Sequence, residues 1–314
     1  MNRRIKAFRG SPRYCVLRIG GEPAVSINSP LTRSLSSFLV GIKIAPRCRL
    51  PKTVAEDADA LLQLRGLIEV SFCRAPRLST EVLRLLELYL PFCFLSLQAR
   101  RARRAIALSH FAQSLDGWIA TISGDSRWIG GPGNLVHAHR MRALFDAILV
   151  GSHTLSRDRP RLTVRHVSGD NPVRIVLGRN LAGLESLLRS SRDPVILVGG
   201  QPPFGSKRCL NLPLKRKNGF VPTGQILREL YKRGIHSVYI EGGSITASRF
   251  LQENTLDIIQ VHIAPLILGP GLPVFLLPPA QRVSHALRFR SFFYTPVDDG
   301  IMFTGVPKKG GRKG

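Results

Sequence analysis

Short apolar runs alternate with segments of helical periodicity from residue 105 onward. Each run is apolar throughout, which is typical of strands that are buried on both faces of a sheet. The segments between most of them place apolar residues at helical spacing. This alternation predicts an α/β fold with a mostly parallel sheet and flanking helices. The predicted strands are 105–111, 147–150, 173–177, 194–198, 237–240 and 258–268, and the predicted helices are 133–145, 181–189, 224–232 and 244–252.

The last two apolar runs, 289–294 and 301–303, have no helix between them, so we expect antiparallel strands at that edge of the sheet. Residues 1–104 are less regular, with helical spacing in 53–70 and 79–90. We therefore divide the chain into three parts. They are a partly helical N-terminal extension of unknown role (1–104), a main domain (105–305) and a basic, disordered tail (306–314).

The net charge of the chain is +26, from 46 basic and 20 acidic residues. Such an excess favours a polyanionic partner, and nucleic acid is the first candidate. However, the excess is mostly arginine and is spread over all three parts of the chain. A diffuse excess is more typical of compositional bias than of a docking surface, so we do not expect a nucleic-acid partner.

The five cysteines indicate reduced thiols, because their number is odd and no pair has the spacing of a zinc site. We expect no metal, and no apolar run is long enough to span a membrane. A secretory signal is also absent, which favours a cytoplasmic protein. The first 55 residues, with Glu22 as their single acid, also have the composition of an organellar transit peptide. Both interpretations stay open.

Four polar segments stand beside predicted strands, where α/β proteins bind their ligands: 114–117, 124–129, 151–165 and 241–246. In the last one, Gly242 and Gly243 allow a close approach of the backbone, and the following helix offers free N–H groups to a phosphate. Glu241 ends a strand and should face the ligand crevice. Arg142 and Arg165 are candidate bidentate phosphate ligands. Each segment alone is equally typical of an ordinary turn or of tight packing.

Taken in order, six motifs resemble the reductase domain of bacterial riboflavin biosynthesis, over about residues 105–305. They are FAQSLDG (111–117), GDSRW (124–128), RALFDAILVG (142–151), DRPRLTVR (158–165), YIEGG (239–243) and APLILG (264–269). The resemblance implies a dihydrofolate-reductase-like fold. It also implies NADPH-dependent reduction of the ribosyl group of 5-amino-6-(5-phosphoribosylamino)uracil to ribityl, through the ring-opened imine.

The resemblance also implies a set of site residues. Asp158 and Glu241 are the acids placed to aid ring opening or proton delivery. Arg179 could favour the 2′-phosphate of NADPH. The implied substrate contacts are Ser126, Arg142, Leu162, Arg165 and Glu241, and the implied cofactor contacts are Gln113, Trp128, Thr154, Asp158, Arg179, Gly242, Gly243, Ser244 and Thr246.

The chain departs from the family pattern at several positions. His110 stands where many members have Lys, at a position that the resemblance places in the substrate site. Arg159 replaces an Asp, and Gly178 replaces another. Residues 1–104 lack the His-x-Glu and Pro-Cys-x-x-Cys motifs of the zinc deaminase domain that bifunctional members carry, so no deaminase activity is expected. Two alternatives stay open: a reductase of the same fold with another small substrate, and a basic nucleic-acid-binding protein on a degenerate reductase scaffold. By analogy we expect a homodimer paired through strand 258–268.

Overall fold

The computed structural model describes residues 88–201 and 207–309. The predicted helix 53–70 and most of 79–90 lie outside these residues. A 3₁₀ helix, Leu90–Phe94, opens the described part. The α-helices are α1 (Leu95–Ala102), α2 (Gly131–Leu144), α3 (Ser152–Asp158), α4 (Leu184–Arg189), α5 (Thr223–Lys232) and α6 (Ser244–Gln252).

Strands alternate with these helices. They are β1 (Ile106–Gln113), β2 (Trp118–Thr121), β3 (Ala147–Gly151), β4 (Val173–Leu177), β5 (Val195–Val198), β6 (Cys209–Leu212), β7 (Ser237–Glu241), β8 (Ile258–Ile263), β9 (Gly271–Pro273), β10 (Phe289–Val297) and β11 (Gly300–Pro307). A second 3₁₀ helix, Val283–His285, precedes β10.

Nine strands form the main sheet, in the order β10-β11-β8-β1-β7-β3-β4-β5-β6. All pairs from β8 to β6 are parallel, whereas β11 is antiparallel to both β8 and β10. The predicted mostly parallel sheet with antiparallel edge strands is therefore confirmed. A small antiparallel sheet, β2–β9, lies apart from it.

The inner strands are buried because helices cover both faces of the sheet. Every residue of β3 and of β5 is buried. One face packs against a cluster that includes Leu108, Met141 and Phe145, and the other against a cluster that includes Ile226 and Phe250. No helix in the described ranges is long and apolar enough to cross a membrane.

The segment before β1 also belongs to the core. Tyr89, Phe92, Leu95 and Ala99 are buried in the same cluster as Leu108. The Tyr89 ring is only 1% exposed. This part of the predicted N-terminal extension therefore packs against the sheet, while the division of the chain at residue 104 stays a prediction.

Several predicted features differ from the structure. The tail expected to be disordered over 306–314 overlaps β11, which includes Val306 and Pro307. The strand expected over 258–268 ends at Ile263, and Pro265, which has no N–H to donate, follows in a turn in which the Leu266 N–H donates to the Ala264 carbonyl. A homodimer stays a prediction, but it cannot pair through this strand, because β1 and β11 occupy both edges of β8. The polar segment 151–165 contains the helix α3, which was not predicted. The short strands β2, β6 and β9 were not predicted.

Two aspartates fix the amino-terminal edge of the sheet. Asp146 Oδ2 accepts hydrogen bonds from the main-chain N–H groups of His236 and Ser237, at 2.8 and 3.0 Å. Asp257 Oδ2 accepts from the Ala107 N–H at 3.0 Å and from Arg104 at 2.8 Å. Burial alone would lower the pKa of Arg104, but its hydrogen bond and charge pairing with Asp257 raise it. These carboxylates hold β1 and β7 in place.

Replacing Asp257 by Ala should lower the free energy of unfolding by about 3 kcal/mol, because it leaves the Arg104 guanidinium largely buried without its partner. Urea unfolding of the pure protein measures the change. The matched control is Glu185→Ala, which removes the exposed ion pair with Arg189 and should cost less than about 1 kcal/mol. Equal losses for the two variants would contradict this role of Asp257.

Candidate functional site

A cavity of about 650 Å³ opens at the carboxyl ends of the parallel strands. His110 and Phe111 of β1, Gly151 at the end of β3 and Glu241 at the end of β7 line it. Parallel α/β sheets bind their ligands at this edge, because the loops that follow the strands meet there. The volume is within the range of small-molecule and cofactor sites.

The turn between β7 and α6 forms one wall of the cavity. Gly242 and Gly243 both have positive φ, +79° and +81°. A Cβ on Gly243 would lie 3.1 Å from the Thr154 hydroxyl, so the backbone passes close to α3. No side chain caps α6, and its first N–H groups are therefore available to an anion at the positive end of the helix dipole.

Ser244 and Thr246 continue this wall along α6. The Ser244 hydroxyl donates to the Pro273 carbonyl at 2.6 Å, which joins α6 to β9. Thr246 packs closely against the end of β3, because a Cβ on Gly151 would lie 2.5 Å from the Thr246 hydroxyl. The start of α6 is thus held by contacts on two sides.

Helix α3 brings Thr154 and Asp158 to the cavity. Partial burial raises the pKa of Asp158 above its ordinary value, and the nearby Arg157 and His153 oppose that rise. Arg157 also donates to the Ser123 carbonyl at 2.8 Å, which ties α3 to the loop that carries Ser126. A carboxyl group with a raised pKa is suited to hold and release a proton.

Glu241 is paired with Arg142 of α2. The Arg142 Nε donates to Glu241 Oε2 at 2.8 Å, and the Arg142 Nη2 donates to Glu241 Oε1. The other edge of the guanidinium donates to the Thr163 carbonyl at 2.9 Å. Arg142 is therefore largely committed to protein partners, and it is 6% exposed and does not line the cavity.

Arg165 also contacts Thr163, but unlike Arg142 it is exposed. Its guanidinium donates to the Thr163 hydroxyl at 2.9 Å, and its main-chain N–H donates to His139 Nδ1 at 2.9 Å. Burial lowers the pKa of Arg165, and the positive charges of Arg142 and Arg161 add to the effect. Burial, with the charges of Arg142 and Arg165, also lowers the pKa of His139 to about 3. A neutral histidine and clustered arginines leave this region ready for an anion.

The cavity brings together most of the predicted site residues, but not all. Those that line it are Ser126, Thr154, Asp158, Glu241, Gly242, Gly243, Ser244 and Thr246. Those outside its wall are Gln113, Trp128, Arg142, Leu162, Arg165 and Arg179. Trp128 is 75% exposed and Leu162 is 1% exposed, so one side chain faces solvent and the other lies in the core.

Several lining residues were missed as site residues. His110 was not among the predicted site residues, although the resemblance placed its position in the substrate site. It lies near the end of the central strand β1. Asn134, on α2, also lines the cavity and was not predicted as a site residue. Arg216, Phe220 and Arg249 form the far wall, where the Arg249 guanidinium lies 4.3 Å from the centre of the Phe220 ring. Arg216 and Phe220 follow β6, a strand that was not predicted.

Within the ranges 88–201 and 207–309, no cluster of His, Cys, Asp and Glu is suited to a metal ion. The site is therefore built from polar side chains, arginines and a helix N-terminus.

Comparison with known proteins identifies relatives of this part of the chain. The family model for the RibD C-terminal domain matches residues 106–298. A riboflavin biosynthesis protein RibD from Aquifex aeolicus is 35% identical over 171 residues, which is 52% of this chain and 47% of the relative. The chain thus spans about half the length of that protein.

Two further matches cover the same region. A 2,5-diamino-6-ribosylamino-4(3H)-pyrimidinone 5′-phosphate reductase from Methanothermobacter thermautotrophicus is 33% identical over 175 residues, 53% of this chain and 80% of the relative. The solved structure of RibD from Acinetobacter baumannii superposes with a TM-score of 0.59 at 26% identity, over 68% of this chain and 61% of that one. These similarities confirm the dihydrofolate-reductase-like fold expected from the six motifs.

Replacing Glu241 by Ala should lower the free energy of unfolding by about 3 kcal/mol, because it leaves the Arg142 charge buried and unpaired. The double variant Glu241→Ala/Arg142→Met should lose less free energy of unfolding, because it removes the unpaired Arg142 charge as well. Urea unfolding of the wild type, the two single variants and the double variant measures this coupling. Additive losses would show that the two side chains act independently.

Proposed function

The chain belongs to the RibD C-terminal domain family, and from that membership we propose that it is an NADPH-dependent reductase of riboflavin biosynthesis. The proposed substrate is 5-amino-6-(5-phosphoribosylamino)uracil, whose ribosyl group is reduced to ribityl. One observation carries the proposal. The uncapped, glycine-led start of α6 and the carboxylate of Glu241, which Arg142 holds from behind, line the same cavity at adjoining positions.

The residues of the cavity fit a dinucleotide. The free N–H groups at the start of α6 suit a pyrophosphate, and Gly242 and Gly243 leave room for it. Phe220 and Arg216 at the far wall suit the adenosine end of the cofactor. The exposed Arg179, which follows the lining residue Gly178, is a candidate ligand for the 2′-phosphate. When bound, NADPH supplies the hydride.

The substrate would occupy the end of the cavity near Glu241 and Ser126. Arg165 is the better phosphate ligand of the two predicted arginines, because it is exposed and its guanidinium makes no ion pair within the described ranges. Arg142 instead orients Glu241, so that a carboxylate of fixed position faces the substrate. Leu162 is buried in the core and anchors the segment that carries Thr163 and Arg165.

Asp158 is the better candidate for proton transfer. The raised pKa of its carboxyl group suits a general acid, whereas both oxygens of Glu241 are engaged by Arg142. In the proposed mechanism Asp158 holds a proton for the opening of the sugar ring, and Glu241 positions the substrate. Binding and orientation supply most of the remaining rate.

The purified chain should oxidise NADPH in the presence of 5-amino-6-(5-phosphoribosylamino)uracil. The decrease in NADPH absorbance measures this turnover. Gly243→Ala should weaken NADPH binding about tenfold in calorimetry, because a Cβ at positive φ crowds Thr154 and displaces the start of α6. The matched control is Gly269→Ala, with a φ of +74° and open space around the added Cβ. Absence of turnover in the wild type would overturn the proposed function.

The dependence of kcat/KM on pH should identify the proton donor. Because only the protonated form of Asp158 can donate, kcat/KM should fall as the pH rises through its raised pKa. Asp158→Asn should remove that limb and lower kcat by about 10²-fold. An unchanged pH limb in the Asn variant would assign the proton to another group.

A further inference from the structure

A cluster of basic side chains lies at the amino-terminal edge of the sheet, opposite the cavity. Arg104 donates to both carboxylate oxygens of Asp257, at 2.6 and 2.8 Å. Lys309, just beyond the end of β11, also donates to Asp257 Oδ1, at 3.3 Å. One carboxylate is thus shared by two cations that lie far apart in the chain, and it joins the end of α1 to the end of β11.

The end of α1 adds three exposed arginines. Arg100 and Arg101 occupy the last turn of α1, and Arg103 follows with a φ of +49°. None of the three makes an ion pair within the described ranges. The Arg104 N–H donates to the Ala99 carbonyl at 3.3 Å, so these side chains lie within about one helical turn of the shared carboxylate. The negative end of the helix dipole favours cations at this position.

The other side of the shared carboxylate is also basic. The Lys308 main-chain N–H donates to the Arg288 carbonyl at 2.8 Å, which places these two exposed residues side by side where β10 begins and β11 ends. Asp257 is the only acid that pairs with any cation of the cluster within the described ranges. The seven cations, named the basic edge below, are Arg100, Arg101, Arg103, Arg104, Arg288, Lys308 and Lys309.

The fold concentrates charge that is scattered along the sequence. The basic edge draws on three separate segments of the chain, and such scatter is what supports the expectation of no nucleic-acid partner. In the structure the three segments converge around Asp257. Seven cations beside one carboxylate create a local positive field, which attracts a polyanion. The sequence adds Arg312 and Lys313 within the five residues that follow Lys309.

The side chains of the basic edge favour a nucleic acid duplex over other polyanions. Five of the seven are arginines, and the planar guanidinium binds two phosphate oxygens at once. A membrane surface fits less well, because Leu95 and Ala99 on the apolar face of α1 are buried in the core and cannot insert into lipid. A single strand also fits less well, since the neighbouring Phe289 ring packs against Phe303, with 4.8 Å between ring centres, instead of being free to stack on a base.

We propose that the basic edge binds the phosphate backbone of a nucleic acid duplex without reading its sequence. Helix α1 has only eight residues and its apolar face is buried, so it is not presented to a groove as recognition helices are. The length of β1 separates this surface from the cavity by about 25 Å. A duplex bound there leaves the cavity open, and the surface is therefore independent of the proposed function.

Fluorescence anisotropy of the full chain with a labelled DNA duplex of mixed sequence, at several salt concentrations, tests the surface. The wild type should bind with an affinity that falls steeply as salt rises, because each phosphate contact releases counterions. Arg100→Glu/Arg101→Glu should weaken binding about tenfold and reduce the slope of log K against log salt by about two. Arg288→Glu/Lys308→Glu, on the other side of the shared carboxylate, should have the same effect.

The matched control is Arg192→Glu/Lys207→Glu, which changes the net charge by the same amount. Both residues are exposed and precede β5 and β6 on the same edge of the sheet, four and five strands away from β1. Charges about 20 Å away are screened at physiological salt, so the control should bind the duplex within about twofold of the wild type. The melting temperatures of all three variants should stay close to that of the wild type, because the replaced side chains are exposed.

Each result either supports or overturns the surface. Equal losses in the control and in the basic-edge variants would show that net charge alone binds DNA, and the surface would be overturned. Binding that does not depend on salt would overturn it too, as would retention on vesicles of anionic phospholipid without binding to the duplex. Loss confined to the basic-edge variants supports the surface whether or not the wild type oxidises NADPH, so this proposal and the proposed function fail separately.

Discussion

The hydrogen-bond register of β1 determines what this protein can present to a ligand. β1 is paired in parallel with β7 on one edge and with β8 on the other, so it cannot slide without breaking both ladders. Because side chains alternate between the two faces of a strand, a shift of one residue would turn His110 away and bring Ser109 in its place. The same register sets His110 beside Glu241. The part of the cavity wall that β1 and β7 supply therefore depends on this strand pairing.

Acidic side chains are scarce in this chain, and the structure uses several of them to hold its own backbone and arginines. Asp146 and Asp257 serve the amino-terminal edge of the sheet, and Glu241 is engaged by Arg142. Arg165 and Arg216 make no ion pair within the described ranges. Part of the positive charge is thus left without an acidic partner near the carboxyl edge of the sheet, whereas other arginines serve the fold itself. Arg104 pairs with Asp257, and the buried Arg174 donates to the Leu187 carbonyl at 2.6 Å.

Sequence patterns predicted best what is encoded locally. The strand β4 and the helix α6 have the predicted bounds, because an apolar run ends at Gly178 in one case and a glycine pair precedes the helix in the other. The edge strand β6 was missed because it is only half buried and carries no continuous apolar run. The engagement of Arg142 could not be predicted, since Glu241 is 99 residues away in the chain.

The buried place of Tyr89 separates two boundaries that are easily taken as one. The match to the family model begins at Ile106, whereas the packed core already contains Leu88 and Tyr89. The packed unit therefore extends beyond the matched range. Tyr89, which precedes the matched range, forms a hydrogen bond with His137, and the centre of the His137 ring lies 4.9 Å from that of His110 in the cavity wall. A substitution at Tyr89 would therefore act on the cavity from outside the motifs by which the family is recognised.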